Sequence, residues 1–344
     1  MNNDERFMRE ALSEAQKSLG DTSPNPAVGA VLVSQNRIVA RGHHRRAGLP
    51  HAEVECLHGL KRRVPKDAVF YVTLEPCSSV GRTGACTDAI IRAGVKSVVM
   101  GATDPNPRHR GRAIEILRSA GIEVRTGVLA EECAALNEAF NKWIATGIPF
   151  VIAKCGMTLD GRLTRPSREG RWITSPATRQ HAQRLRAQSD AILIGAETLR
   201  IDNPRLTVRG SRRFRQPTRI VVTRSGKLPR NARIFTDRHA RTTLIYRNEP
   251  FGALLADLGK RNVTSVVIEG GGSLLGHALD QRLIDKVQIY LAPIFTGGGV
   301  VAFAGEGARS TMDAARLERV RFEKIGADLC VTGYPKYATL RPSE

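Results

Sequence analysis

The chain has 344 residues, 41% of them hydrophobic, and a formal net charge of +20. That length predicts two domains rather than one core. No apolar run reaches the roughly 18 residues of a membrane-spanning helix, and the six irregularly spaced cysteines do not read as a disulfide framework.

The first stretch, MNNDERFMREALSEAQ, predicts an amphipathic helix near 4–19 and lacks the apolar middle of a secretory signal, so the cytoplasm is the expected compartment. Strands follow near 27–34 and 36–42, and a helix opens near His51. AVFYVTLEP reads as a strand and CTDAIIRAG as a helix. KSVVMGA and IEVRTGV read as strands, followed respectively by the helices GRAIEILRSAG and AEECAALNEAFNKWI. Alternating strands and helices predict an α/β layered domain.

ATGIPF interrupts the pattern with Gly and Pro. The domains are therefore expected at 1–146 and 147–344. The second resumes with strands FVIAKCGM, DAILIGA, TRIVVT, TTLIYR, TSVVIEG and KVQIYLAP. Its helix SPATRQHAQRLRAQ should open with Ser175 as N-cap and Pro176 at the first helical position.

His51 and Glu53 stand two residues apart at a helix start, and Cys77 and Cys86 follow. One His and two Cys make a three-ligand catalytic zinc set with a fourth position for water, whose pKa zinc lowers toward about 7. Glu53 can reach that water without being a ligand, as the proton-moving glutamate of zinc deaminases does. Cys56, Cys133, Cys155 and Cys330 are expected as core or near-surface thiols. The spread-out arginines suit a phosphorylated small substrate or a nucleic acid, but aromatics are few and no RNA-binding motif is present. The glycines of VIEGGGSLLG, Gly270, Gly271 and Gly272, lie between a strand and a helix and permit a phosphate to approach backbone N–H groups.

HAEVECL, YVTLEPCSSVGRTGACTDAI, DPNPRHRGRAI and SPNPAVGAVLV resemble the deaminase half of the bifunctional riboflavin-biosynthesis deaminase/reductase family. KCGMTLDGRL, RWITSPATRQHAQRLRAQSDAILIGAETLRIDNPRLTVR, VIEGGGSLLG and YLAPIFTGGG resemble its reductase half. The resemblance covers nearly the whole chain. It implies a cytidine-deaminase-like three-layer α/β domain followed by a dihydrofolate-reductase-like domain. It also implies Zn2+ and NADPH as cofactors. The implied activity is deamination of 2,5-diamino-6-(5-phosphoribosylamino)pyrimidin-4-one, then reduction of its ribosyl group to ribityl.

The same resemblance assigns residues. His51, Cys77 and Cys86 match the zinc ligands and Glu53 the proton shuttle. Asn25, His44, Arg82, Asp104 and Asn106 match deaminase substrate positions. Lys154, Arg186, Arg209 and Glu269 match reductase substrate positions, and Trp172, Thr174 and Asp202 the surroundings of the nicotinamide cofactor. A 2′-phosphate pocket is expected in VVTRSGK, at Arg224 with Ser225 and Lys227; the alternative there is an exposed hairpin turn. A homodimer or homotetramer through the reductase domain is expected, with no nucleic-acid or membrane partner.

Three departures from the family pattern bear on substrate grip: Ser79 and Glu55 stand where imidazoles are common, and Gly170 where serine is common. Other readings are a single-activity descendant, a nucleoside or tRNA deaminase with a basic appendage, and a zinc-stabilised binding module. The eight residues between the cysteines and the second motif set disfavour the deaminase alternative. Glu53 disfavours the module, because a structural site needs four protein ligands.

Overall fold

Five short strands build the sheet of the first unit, Met1–Ile148. The computed structural model describes residues 2–60, 63–79, 84–107, 109–164, 172–210 and 215–338. The elements of this unit are α1 (Asn3–Gln16), β1 (Gly29–Ser34), β2 (Arg37–His43), α2 (Ala52–Gly59), β3 (Val69–Leu74), α3 (Cys86–Arg92), β4 (Ser97–Ala102), α4 (Arg112–Ser119), β5 (Glu123–Thr126), α5 (Ala130–Leu136) and α6 (Glu138–Thr146). The order across the sheet is β2-β1-β3-β4-β5. β1 pairs antiparallel with β2 and β3, whereas β3, β4 and β5 run parallel.

β1 is buried at every position, as a strand covered on both faces must be. Two glycines show what covers each face. A Cβ on Gly29 would lie 2.0 Å from the Ala11 carbonyl of α1. One on Gly42, which pairs with Ala30, would lie 2.3 Å from the Cys56 nitrogen of α2. Because neighbouring positions 29 and 30 face opposite sides, α1 and α2 sandwich the sheet, giving the three-layer arrangement.

The helix expected over 130–144 is two helices. Asn137 breaks it at φ −113°, ψ 25°. Its buried side-chain amide donates to the Ala27 carbonyl (2.9 Å) and accepts from the Ala27 N–H (2.8 Å). A satisfied buried amide pinning the loop before β1 outweighs an uninterrupted helix.

The second unit, Pro149–Glu344, contains β6 (Phe150–Thr158), α7 (Pro176–Gln188), β7 (Ala191–Gly195), α8 (Ala196–Asp202), β8 (Thr218–Thr223), α9 (Arg233–Thr236), β9 (Thr243–Arg247), α10 (Phe251–Lys260), β10 (Ser265–Ile268), α11 (Gly272–Asp280), β11 (Lys286–Ala292), β12 (Arg316–Ile325) and β13 (Asp328–Lys336). Its eight strands follow the order β12-β13-β11-β6-β10-β7-β8-β9. The strands from β11 to β9 are parallel, and β12 and β13 form an antiparallel hairpin on β11. Ser175 caps α7 by accepting from the Thr178 N–H (3.3 Å), with Pro176 in the first helical position. The parallel strands send their carboxyl ends to one edge, where crevices of open α/β sheets bind ligands.

Candidate active sites

In the first unit, two helix N-termini and one loop meet. His51 is the N-cap residue of α2 and leaves its side chain free of capping. Cys77 lies in the loop after β3, and Cys86 opens α3. His51 Nδ1 is 3.3 Å from Cys86 Sγ and 3.5 Å from Cys77 Sγ, and the Cys86 N–H donates to Cys77 Sγ at 3.3 Å. One ligand atom from each of the three lies within 4.8 Å of the others. Two sulfurs and one nitrogen, converging with no fourth protein ligand among the described residues, fit zinc in an open catalytic site.

The electrostatics divide the three ligands. The Cys77 thiol is held well below its usual range by hydrogen bonds from Cys86 and from the His51 imidazole. The Cys86 thiol at the start of α3 is pushed up instead, by its hydrogen bond with Cys77 and by burial, so the proton of the pair rests on Cys86. His51 is raised by its bond to Cys77. Glu53, in the first turn of α2, is 3% exposed. Burial raises its carboxyl, and the charge on Cys77 raises it further. A carboxyl pushed upward holds a proton more readily than an ordinary glutamate, as a proton shuttle requires.

Asn25 and His44 stand beside this centre. His44 Nδ1 is 3.0 Å from the Pro50 carbonyl, which can only accept, so that nitrogen carries the hydrogen. His44 Nε2 then accepts from the Asn25 amide at 3.2 Å. Burial lowers the His44 pKa, keeping the ring neutral, and the ring sits edge-on to His51 with centroids 5.1 Å apart.

Asp104 and Asn106 lie in the loop after β4. The Asp104 carboxylate accepts from the Asn106 N–H (2.8 Å), and burial raises its pKa. A residue that sequence reasoning missed holds this loop: buried Glu75 accepts from the N–H groups of Asp104 (3.1 Å), Gly111 (3.0 Å) and Ala113 (3.1 Å). An acid at the end of the buried strand YVTLEP was the available signal, since such a group must find donors. Glu55 pairs with Arg45 at 3.0 Å, and Ser79 is exposed. Arg82 and Gly170 lie outside the described residues. The other four cysteines, Cys56, Cys133, Cys155 and Cys330, are buried free thiols.

In the second unit, a cleft of about 1760 Å³ opens at the carboxyl ends of the parallel strands. It exceeds the roughly 300–1,000 Å³ of a single small-ligand pocket. Lys154, Trp172, Thr174, Arg186, Asp202, Arg209, Arg224, Ser225, Glu269, Gly270, Gly271 and Gly272 all line it. Lys227 lines a separate shallow hollow beside Arg200.

Three details differ from expectation. Arg186 does not present a free fork: its Nε and Nη2 both bond Glu269 at 2.7 Å, and Lys154 lies 3.7 Å from the same carboxylate. Burial alone would raise Glu269; Arg186 and Lys154 outweigh it and hold the carboxyl at about 2. At Gly272, the close approach is made by the chain itself, because a Cβ there would lie 1.8 Å from the Val301 carbonyl. Gly271 donates its N–H to Thr198 Oγ1 at 3.1 Å. Finally, Arg224 is exposed in the loop after β8, and β8 and β9 are parallel, so that loop is no hairpin turn.

Comparison with known proteins places both sites in one family. A model described as the cytidine and deoxycytidylate deaminase zinc-binding region matches residues 1–102, and one described as the RibD C-terminal domain matches residues 149–331. Riboflavin biosynthesis protein RibD of Aquifex aeolicus is 37% identical across 95% of this chain and 97% of that protein. The protein of the same name from Mycobacterium tuberculosis is 40% identical across 94% of each. Among solved structures, Acinetobacter baumannii RibD matches with a TM-score of 0.89 at 34% identity, covering 97% of this chain and 99% of that one. The diaminohydroxyphosphoribosylaminopyrimidine deaminase/5-amino-6-(5-phosphoribosylamino)uracil reductase of Thermotoga maritima matches at 0.87 and 32%, with the same coverage. The chain therefore belongs to the RibD family of bifunctional riboflavin-biosynthesis deaminase/reductases.

Proposed function

We propose that residues 1–146 deaminate 2,5-diamino-6-(5-phosphoribosylamino)pyrimidin-4-one and that residues 147–344 reduce the ribosyl group of the product to ribityl with NADPH. The observation that carries the first step is the convergence of His51, Cys77 and Cys86 beside buried Glu53. These three side chains would hold zinc, which would supply a nucleophilic water at neutral pH. Glu53 takes the proton from the attacking water and delivers protons to the ring nitrogen and the departing amine. Asn25, His44, Asp104 and Asn106 orient the pyrimidine, and Arg82 meets the phosphate.

The reductase cleft carries the second step. NADPH supplies the hydride when bound there. Trp172, Thr174 and Asp202 would border the nicotinamide, Gly270 and Gly271 would lie beside its phosphates, and Arg224 with Ser225 would face the 2′-phosphate. Lys154 and Arg209 grip the phosphorylated sugar, and Arg186 keeps Glu269 ionised and aimed. Alignment of hydride and sugar carbon is the main demand on these residues.

Purified protein should carry about one zinc per chain. The Glu53→Gln variant should keep that zinc, lose deamination and still reduce supplied deaminated intermediate. Parallel loss of both activities in a folded variant would refute the division of labour.

The reading extends to the cytoplasm as compartment and to a homodimer or homotetramer. β12 is an edge strand on which Leu317, Val320 and Phe322 are exposed, Phe322 by 70%. Such a side chain on an edge strand suits a second copy. A strict monomer in sedimentation at micromolar concentration would overturn the oligomeric reading.

A further inference from the structure

Helical side chains lean toward the helix N-terminus. Arg179, in the first turn of α7, therefore reaches back over the segment that leads into the helix. Its Nη1 donates to the Thr174 carbonyl at 2.8 Å, and its guanidinium carbon lies 4.9 Å from the centroid of the Trp172 ring. A cation is disfavoured by the helix dipole in a first turn, so its presence there calls for a compensating partner. These two contacts supply it.

The segment is held from other sides as well. The Ser175 N–H donates to buried Asp328 at 2.7 Å. Thr174 Cγ2 would lie 3.1 Å from a Cβ on Gly156, so strand β6 leaves room for that methyl and nothing more. Thr174 is thus fixed from three directions. Trp172, 45% exposed at the cleft, is carried by the same arginine.

We propose that Arg179 is a positioning residue for cofactor binding: it fixes the backbone at Thr174 and the indole of Trp172 together, so that the ring stands as a ready wall of the nicotinamide site. This rests on the assignment of Trp172 and Thr174 to that site. Only a planar fork can bond a carbonyl and stack on an indole at once, so lysine does not replace arginine here. Trp172 left free to rotate would have to be ordered by each incoming cofactor, which weakens binding rather than the chemical step.

The test uses the full-length enzyme. Arg179→Met and Arg179→Lys should raise the KM for NADPH about tenfold with a smaller change in kcat; an unchanged thermal-unfolding transition and the retained kcat certify the fold of the second unit, and deamination stays at the wild-type rate. Trp143 and Trp172 are the two tryptophans. In a Trp143→Phe background, NADPH titration should therefore quench the Trp172 emission, and Arg179→Met should need about tenfold more NADPH for half the quench. Trp172→Phe is the control for the underlying assignment. If it leaves the KM for NADPH unchanged, the nicotinamide does not stand against Trp172 and the proposal falls with that assignment. If it raises the KM and Arg179→Met does not, the assignment stands and the role of Arg179 is refuted.

Discussion

Replacing Glu75 with alanine should loosen the deaminase loop without touching a zinc ligand. The carboxylate accepts from three backbone N–H groups, those of Asp104, Gly111 and Ala113. Ala113 is buried, and its orphaned donor carries the full penalty of about 1–3 kcal/mol. Water can reach the other two in part, so the total should be about 3–5 kcal/mol. That corresponds to a fall of roughly 10–20 °C in the melting temperature of the first unit. Glu75→Gln keeps one acceptor oxygen and turns an amide hydrogen toward a donor, so its cost should lie between wild type and alanine. Thermal unfolding followed by circular dichroism gives the stability. Parallel assays of deamination and of reduction of supplied intermediate give the functional split: deamination should fall at least tenfold, with zinc retained, and reduction should be unchanged. An alanine variant that melts and deaminates like wild type would refute the anchoring role, as would equal loss of both activities.

The Glu269 carboxyl has a pKa of about 2 in the fold against an ordinary value of 4.5. A depressed pKa stabilises the fold above about 4.5, and that contribution, about 3 kcal/mol, disappears as pH falls toward 2. The second unit of Glu269→Gln should accordingly lose stability less steeply than wild type across that window in acid-unfolding curves; parallel curves would contradict the pairing with Arg186. NADPH should be preferred over NADH by roughly ten- to hundredfold in kcat/KM, and Arg224→Ala should erase most of that preference. If the preference survives in Arg224→Ala, the 2′-phosphate is held elsewhere.

Much of both sites was legible because the chemistry is local in sequence or narrow in kind. His51 and Glu53 share one helix turn, and few functions other than zinc binding require a His and two Cys at this spacing. Ser175 and Pro176 announced the start of α7, which the structure shows. What escaped notice depends on partners distant in sequence. The Arg186–Glu269 pair spans 83 positions, so a sequence reading sees a free cation where the fold has a neutralised one. The break at Asn137 is set by Ala27, 110 positions away. Gly272 looked like a phosphate glycine, but its missing side chain makes room for Val301. The β12–β13 hairpin drew no expectation, because RLERVRFEKI is charged and an edge strand buries almost none of it.

The central claim is that one chain performs both steps in order. Purified protein incubated with the diaminopyrimidine phosphate and followed by mass spectrometry tests it most directly. Without NADPH, the account predicts a product in which oxygen has replaced the amine and nothing else has changed. With NADPH, that species should be consumed to one carrying two further hydrogens. Accumulation of the deaminated species in the presence of NADPH, or no mass change in either arm from zinc-loaded protein, would contradict the account.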